Sequence, residues 1–134
     1  MKEYKGDKKH INKSSQEVYD YLSDFRNFEQ FLPEQISEWE AGNDYCSFNI
    51  TGLGNIKLVY KERTPCSKII VQPNMESNFP VSFFLNINIS EDTETSCYVQ
   101  FIIEAEVNSM MGMMVDKPLK QFVEVISDRL ASLF

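Results

Sequence analysis

The sequence predicts an α+β domain in which one antiparallel sheet is covered by a long C-terminal helix. Three observations carry this expectation. Over residues 36–107 apolar side chains recur at every second position, in runs broken by turn residues. Over residues 113–134 they recur at helical spacing instead. A capped helical segment stands ahead of both, near residue 14. A chain of 134 residues and 15.6 kDa suits a single domain. Scaling gives it roughly 7,000 Å² of folded surface against about 23,000 Å² when extended, so about two-thirds is buried without metal or disulfide staples.

Residues 1–13 read as a solvated first strand. Ser14-Ser15-Gln16-Glu17 is a capping-box pattern, and Val18, Leu22 and Phe25 follow it at i, i+4 and i+7 on one helical face. Phe28, Phe31 and Leu32 continue that face on a second short helix after a break near residues 24–27, and Pro33 ends it. The period then becomes two. Cys46, Phe48 and Ile50 form one inward series, then Ile56, Leu58 and Tyr60 after the tight connection Gly52-Leu53-Gly54. Residues 67–72 make a short β-branched strand bounded by Pro73-Asn74. Phe83, Leu85, Ile87 and Ile89 form the next series, and Cys97, Val99, Phe101, Ile103, Ala105 and Val107 the last. One apolar and one wetter face per strand is the mark of an antiparallel sheet covered on one side, and short turns favour a meander. In the tail Val115, Leu119, Phe122, Ile126, Leu130 and Leu133 form one stripe, with Pro118 placed in the helix's first turn.

The composition is that of an ordinary soluble globular domain, with 43% apolar residues, 25% charged and a net charge of −7. Residues 1–13 carry five Lys against Glu3 and Asp7, whereas residues 14–44 carry eight acids and only Arg26. Nucleic-acid binders gain affinity from Lys and Arg against phosphate, so no nucleic-acid partner is expected. No apolar run approaches the roughly 18 residues of a membrane span, and no apolar signal segment follows the charged start. Stable membrane insertion is therefore not expected. Cys46, Cys66 and Cys97 are odd in number and widely spaced, which argues against a disulfide framework and for a reducing cytoplasmic home.

No catalytic set stands out. The single histidine, His10, sits beside Lys8 and Lys9 and reads as an exposed strand-end residue. No metal-ligand pattern appears, and no metal or cofactor is expected. Glu104 and Glu106 share a strand face but fall opposite the apolar series, so they read as solvated. The unusual feature is Ser109-Met110-Met111-Gly112-Met113-Met114, which holds four of the six methionines. Met suits irregular apolar contacts, so the segment is either core filling or one side of a lipid-lined mouth.

The segment running from Ile11-Asn12-Lys13-Ser14 through Val18-Tyr19 and Leu22-Ser23-Asp24 to Asn27-Phe28 resembles the opening of the START-like, polyketide-cyclase superfamily, which includes the plant pollen allergens. Phe31-Leu32-Pro33 resembles the end of that superfamily's second helix, and Lys117-Pro118-Leu119 its entry to the long helix. The resemblance implies a helix-grip fold over residues 1–134: a seven-stranded antiparallel sheet, in the order β-αα-β6-α, curled around the C-terminal helix with a cavity between them. On that template Trp39, Phe48, Leu58, Tyr60, Phe83, Leu85, Phe101 and Ile103 would line the cavity from the sheet. Val115, Leu119, Phe122 and Ile126 would face them from the helix, with Met111 and Met114, Leu53 and residues 74–79 around an entrance. Tyr60 would be the polar handle.

The resemblance implies a small binding or carrier protein for a hydrophobic molecule: a lipid, an isoprenoid or a polyketide-like compound. An enzyme of the polyketide cyclase or dehydratase type would require an acid or base inside the cavity, where the alternation puts almost none beyond Tyr60 and Cys97; Glu104 or Glu62 pointing inward would favour it. A protein-interaction module of the chaperone-activating or ribosome-associating kind is motivated by the acidic stretch 34–44 and the methionines.

Overall fold

The computed structural model describes residues 2–33, 36–50, 54–74, 82–107 and 109–134, and for Ser109 and Met111 the backbone only. Eight strands, two α-helices and one 3-10 helix are seen among them. The strands are β1 (Lys2–Lys5), β2 (Lys9–Ile11), β3 (Ile36–Ala41), β4 (Tyr45–Ile50), β5 (Gly54–Thr64), β6 (Lys68–Pro73), β7 (Ser82–Thr93) and β8 (Ser96–Glu106). They form one antiparallel sheet in the order β1-β8-β7-β6-β5-β4-β3, with β2 also paired to β8. Helix α1 (Ser15–Leu22) and the 3-10 helix (Phe25–Gln30) follow β2, and α2 (Ser109–Leu133) ends the chain.

The expected α+β helix-grip architecture is present, with one difference in the strand count. The first strand is split in two. Lys5 pairs with Ile102 but Lys9 with Val99, so the register slips by one residue across 6–8. This bulge serves packing. Gly6 donates its N–H to the Phe101 carbonyl at 2.9 Å and accepts from Gln100 Nε2 at 3.0 Å. It lies so close to α2 that a Cβ there would overlap Ser127 Oγ and stand 3.2 Å from the Val123 carbonyl. The Ser127 hydroxyl is itself buried, donating to that carbonyl at 2.6 Å.

The strand alternation places its apolar series as expected. Cys46, Phe48, Ile56, Leu58, Ile69, Val71, Leu85 and Ile87 are buried, as are the alternate residues of β8 from Cys97 to Ala105. Register aligns these into rows across the sheet: Cys46 faces Leu58, Leu85 faces Ile103, and Ile87 faces Phe101. Ser14 caps α1, accepting from the Glu17 N–H at 3.1 Å, while its hydroxyl meets Glu17 Oε1 at 3.2 Å. Val18 and Leu22 are fully buried. Asp24 caps the 3-10 helix through the Arg26 N–H, and the Arg26 guanidinium beside it holds the Asp24 carboxyl below the usual carboxylate range.

Helix α2 begins four residues earlier than the spacing predicts and runs for 25 residues, about 37 Å. Pro118 is therefore an interior residue, not a first-turn one. An interior proline leaves the carbonyl four residues back, that of Met114, without its helical donor. Both residues lie on the exposed flank of α2. Methionine is a good helix former, so the segment 110–114 extends the helix rather than ending it. Leu133, expected in the buried stripe, is exposed, and Val123 is buried in the stripe instead.

The close approach at Gly6 yields a prediction. Gly6→Ala is expected to cost about 1–2 kcal/mol through overpacking, a fall of roughly 4–8 °C in Tm. In a Ser127→Ala background, where Oγ is gone, the added cost should shrink by more than half; a double-mutant cycle in urea measures this coupling.

Candidate functional site

A cavity of about 60 Å³ lies between the concave face of the sheet and α2. The 3-10 helix and the turn after it form its floor. Phe25, Phe28 and Phe31 are buried here in a chain of ring contacts, with centroids 4.9 Å apart for Phe25–Phe28 and 5.0 Å for Phe28–Phe31. Phe28, Phe31 and Leu32 present this floor to the cavity. The Arg129 guanidinium donates to the Leu32 carbonyl at 2.7 Å, tying the floor to α2.

The sheet supplies one wall through Trp39, Cys46, Phe48, Ile50, Ile56 and Leu58, with Phe83, Leu85 and Ile103 opposite. Trp39 is stacked on Phe48 at 5.7 Å. The irregular pairing of β3 between Ser37 and Glu40, with Glu38 at φ 56°, surrounds this tryptophan. Helix α2 closes the roof with Pro118, Leu119, Phe122 and Ile126. Leu32, Trp39, Ile50, Phe83 and Phe122 are only half buried, and Pro118 is exposed, so these side chains form a rim between cavity and surface.

The walls carry no charged side chain among the described residues. Their only side-chain heteroatoms are the Trp39 indole nitrogen and the Cys46 sulfur. Burial pushes the Cys46 thiol up to about 12, so at neutral pH it is a protonated, apolar wall atom.

Of the sequence-predicted site residues, Trp39, Phe48, Leu58, Phe83, Leu85, Ile103, Leu119 and Phe122 are brought together around this cavity. Four others differ. Tyr60 is stacked on Phe25 at 4.2 Å and donates its hydroxyl to the Leu22 carbonyl at 2.7 Å, so it locks α1 to β5 and offers the cavity no polar handle. Burial raises its pKa strongly. Phe101 is buried below the floor, 6.0 Å from Phe31. Met114 points outward and is 70% exposed. The Met111 side chain, Leu53 and residues 75–79 lie outside what is described.

Sequence reasoning missed Phe28, Phe31 and Leu32 as wall residues, although it placed them on an apolar helical face. Which side of a short 3-10 helix meets a void depends on the path of the chain after Pro33, which no local pattern encodes. Glu104 accepts from Asn86 Nδ2 at 3.0 Å and lines no part of the cavity, and the exposed Glu62 is likewise away from it.

A second cluster fastens the roof. Lys2 Nζ donates to both carboxylate oxygens of Asp116 at 2.7 Å, and the buried Tyr4 hydroxyl donates to the same group. Lys2 and then Tyr4 hold the Asp116 carboxyl below its ordinary range. Burial, then Asp116, pushes the Tyr4 phenol up to about 12. Further along α2, Lys9 pairs with Asp128 at 2.7 Å.

No protein-family model matches the sequence, and no curated protein matches it. Solved structures do match in fold. A START superfamily protein from Mycobacterium smegmatis aligns over 98% of this chain and 99% of its own, with a TM-score of 0.66 and 12% identity. This chain has the START-like helix-grip fold. Norcoclaurine synthase from Thalictrum flavum, solved as a point mutant with a transition state analogue, shares the START-like arrangement over 95% of this chain and 92% of its own, at a TM-score of 0.65 and 14% identity. The di-domain ARO/CYC protein BexL matches 97% of this chain with 46% of its own, at a TM-score of 0.64 and 13% identity.

The thiol environments give a prediction. At pH 8 a disulfide reagent should modify Cys66, which is half exposed, and leave Cys46 and Cys97 intact until denaturant is added. Because Tyr4 and Cys46 both titrate near 12 when folded, above their ordinary values of 10 and 9, their neutral forms stabilise the fold fully below about pH 9. That stability is lost as pH rises toward 12. Tyr4→Phe and Cys46→Val should each flatten the alkaline decline in urea-unfolding free energy.

Proposed function

We propose that this protein binds a hydrophobic small molecule between its sheet and α2, as a carrier or storage protein for a lipid, isoprenoid or polyketide-like compound. The observation that carries the reading is an enclosed wall of aliphatic and aromatic side chains with no charge among the described residues. An apolar cavity of this kind stays dry, and a dry void is a ready site for an apolar guest. Trp39, Phe48, Leu58, Phe83, Leu85, Ile103, Leu119 and Phe122 are the binding residues of the proposal. START-like neighbours that hold a transition state analogue or carry an ARO/CYC description support a ligand-holding use of the fold.

The small size of the cavity sets the mode of entry. Drug-sized ligands occupy pockets of roughly 300–1,000 Å³, well above the 60 Å³ enclosed here. A guest therefore enters by turning out the half-buried rim, chiefly Phe83, Phe122 and Trp39, and the deep aliphatic wall receives its apolar end. A cyclase or dehydratase would need a proton-moving group in that wall. The described residues supply only the Cys46 thiol, whose raised pKa suits packing rather than proton transfer. Binding without chemistry is the better account.

Two substitutions of opposite sense test it. Leu85→Trp fills the void and should weaken binding of a fluorescent fatty acid at least tenfold, roughly 1.4 kcal/mol. Phe122→Ala opens the rim and should admit longer acyl chains than the wild type accepts. Unchanged affinity and chain-length preference in both folded variants would remove the cavity from consideration as the binding site.

A further inference from the structure

The first turns of α2 display what the fold does not use. Met110, Met113 and Met114 are 80%, 87% and 70% exposed, the three most exposed large apolar side chains among the described residues. At 100° per residue they share one outward arc of the helix with Lys117 and Lys120. Both lysines are exposed, and neither is in an ion pair among the described residues. The one acid within this stretch, Asp116, is half exposed beside this arc and is paired with Lys2 and Tyr4. The next acid on the outward arc is Glu124, one turn beyond Lys120.

We infer that this outward face of α2 docks the protein on the surface of an anionic phospholipid bilayer. Three features favour a bilayer over a protein groove. The face is convex and made of unbranched, flexible side chains, without the Trp, Tyr or Arg anchors that concentrate binding energy in protein interfaces. An apolar tip bordered by lysines is the arrangement of helices that lie in the interfacial plane, apolar side chains among the acyl carbons and ammonium groups at the headgroups. The lysines stand out against a chain of net charge −7, so the positive fringe is local to the methionines. No helix among the described residues is long and apolar enough to cross a membrane, and the contact inferred is a peripheral one.

The docking face adjoins the cavity. Pro118, one turn from Met114, both lines the cavity and reaches the surface. Docked in this way, the protein presents its rim toward the lipid phase. That orientation rests on the binding reading above, whereas the docking itself does not.

Sedimentation with vesicles tests the inference, using phosphatidylcholine alone and phosphatidylcholine mixed with phosphatidylglycerol. The wild type should bind the mixed vesicles more tightly than the neutral ones, with the difference shrinking as salt is raised. Met110→Ser, Met113→Ser and Met114→Ser combined should lower partitioning onto both compositions roughly tenfold or more. Lys117→Glu with Lys120→Glu should abolish the preference for phosphatidylglycerol and keep the residual affinity for neutral vesicles. All five side chains project into solvent, so each variant should keep the wild-type Tm and its affinity for a fluorescent fatty acid. A wild type that remains in the supernatant with both vesicles overturns the inference, and so does a methionine variant that binds as well as the wild type. A wild-type dimer that the methionine variant dissociates would assign the face to self-association and overturn it equally.

Discussion

A single helix laid across a curled sheet cannot fill the concavity beneath it, and most of this structure is a response to that mismatch. Seven neighbouring strand positions spread their inward side chains over a wide arc, whereas α2 offers one stripe, from Val115 to Leu130. The gap is closed at one end by α1 and the 3-10 helix. There Phe25, Phe28, Phe31 and Phe101 pack into solid core around Leu22 and Val18. At the other end nothing of comparable bulk is inserted among the described residues. The void is thus the remainder of a packing problem solved at one end only, and interiors otherwise packed to crystal density leave such remainders rarely.

Position of the helix then becomes the controlling variable. Three close contacts set it: Gly6 against Ser127, Lys2 and Tyr4 on Asp116, and Lys9 on Asp128. All lie on the β1–β2 edge of the sheet, on either side of the slip in register across residues 6–8. The opposite flank of α2, with Pro118 and Phe122, meets the cavity, and there the Arg129 guanidinium attaches the helix to the Leu32 carbonyl. The roof is accordingly held by several contacts at the β1–β2 edge and by Arg129 at the floor. Exposed ion pairs contribute little on their own, generally under about 1 kcal/mol, so the buried glycine–serine approach and the Tyr4 ring carry more of the positioning than the salt bridges do.

How much of this was legible in the sequence follows from which patterns are local. The alternation in β4, β5, β7 and β8 identified the buried face of each strand, because a residue's side of a strand is fixed by parity alone. The same parity misplaced Tyr60. Its ring turns inward as expected, but its hydroxyl meets the Leu22 carbonyl, a partner 38 residues away that no periodicity reveals. Phe101 was likewise on the correct face and at the wrong depth, since depth along the sheet is decided by where the 3-10 helix crosses it. The start of α2 was misjudged for a different reason. Proline is most at home in a first turn, and whether a helix interior accepts it depends on the tertiary surroundings, which the sequence pattern does not reveal. The reading of the methionines as core filling fails for the three side chains described, which face solvent.

That last departure joins the two faces of α2 in one argument. A cavity wall must be apolar, and an exposed helix flank of a protein with net charge −7 would ordinarily be charged, yet the first turns of α2 are apolar on both sides. On the inner side Leu119 and Phe122 face the void, and on the outer side Met110, Met113 and Met114 face solvent, with Pro118 between them at the rim. Folding stability does not require the outer methionines, since they bury almost nothing. Apolar surface left in water is unfavourable by about 25 cal/mol for each square ångström that some other phase could cover. A hydrocarbon phase covering that flank would relieve this cost and would also face the one rim whose side chains must turn outward for a guest to pass. The same stretch of helix therefore relates the hidden apolar surface of the protein to its displayed one, through the proline that interrupts its backbone hydrogen bonds at their meeting point.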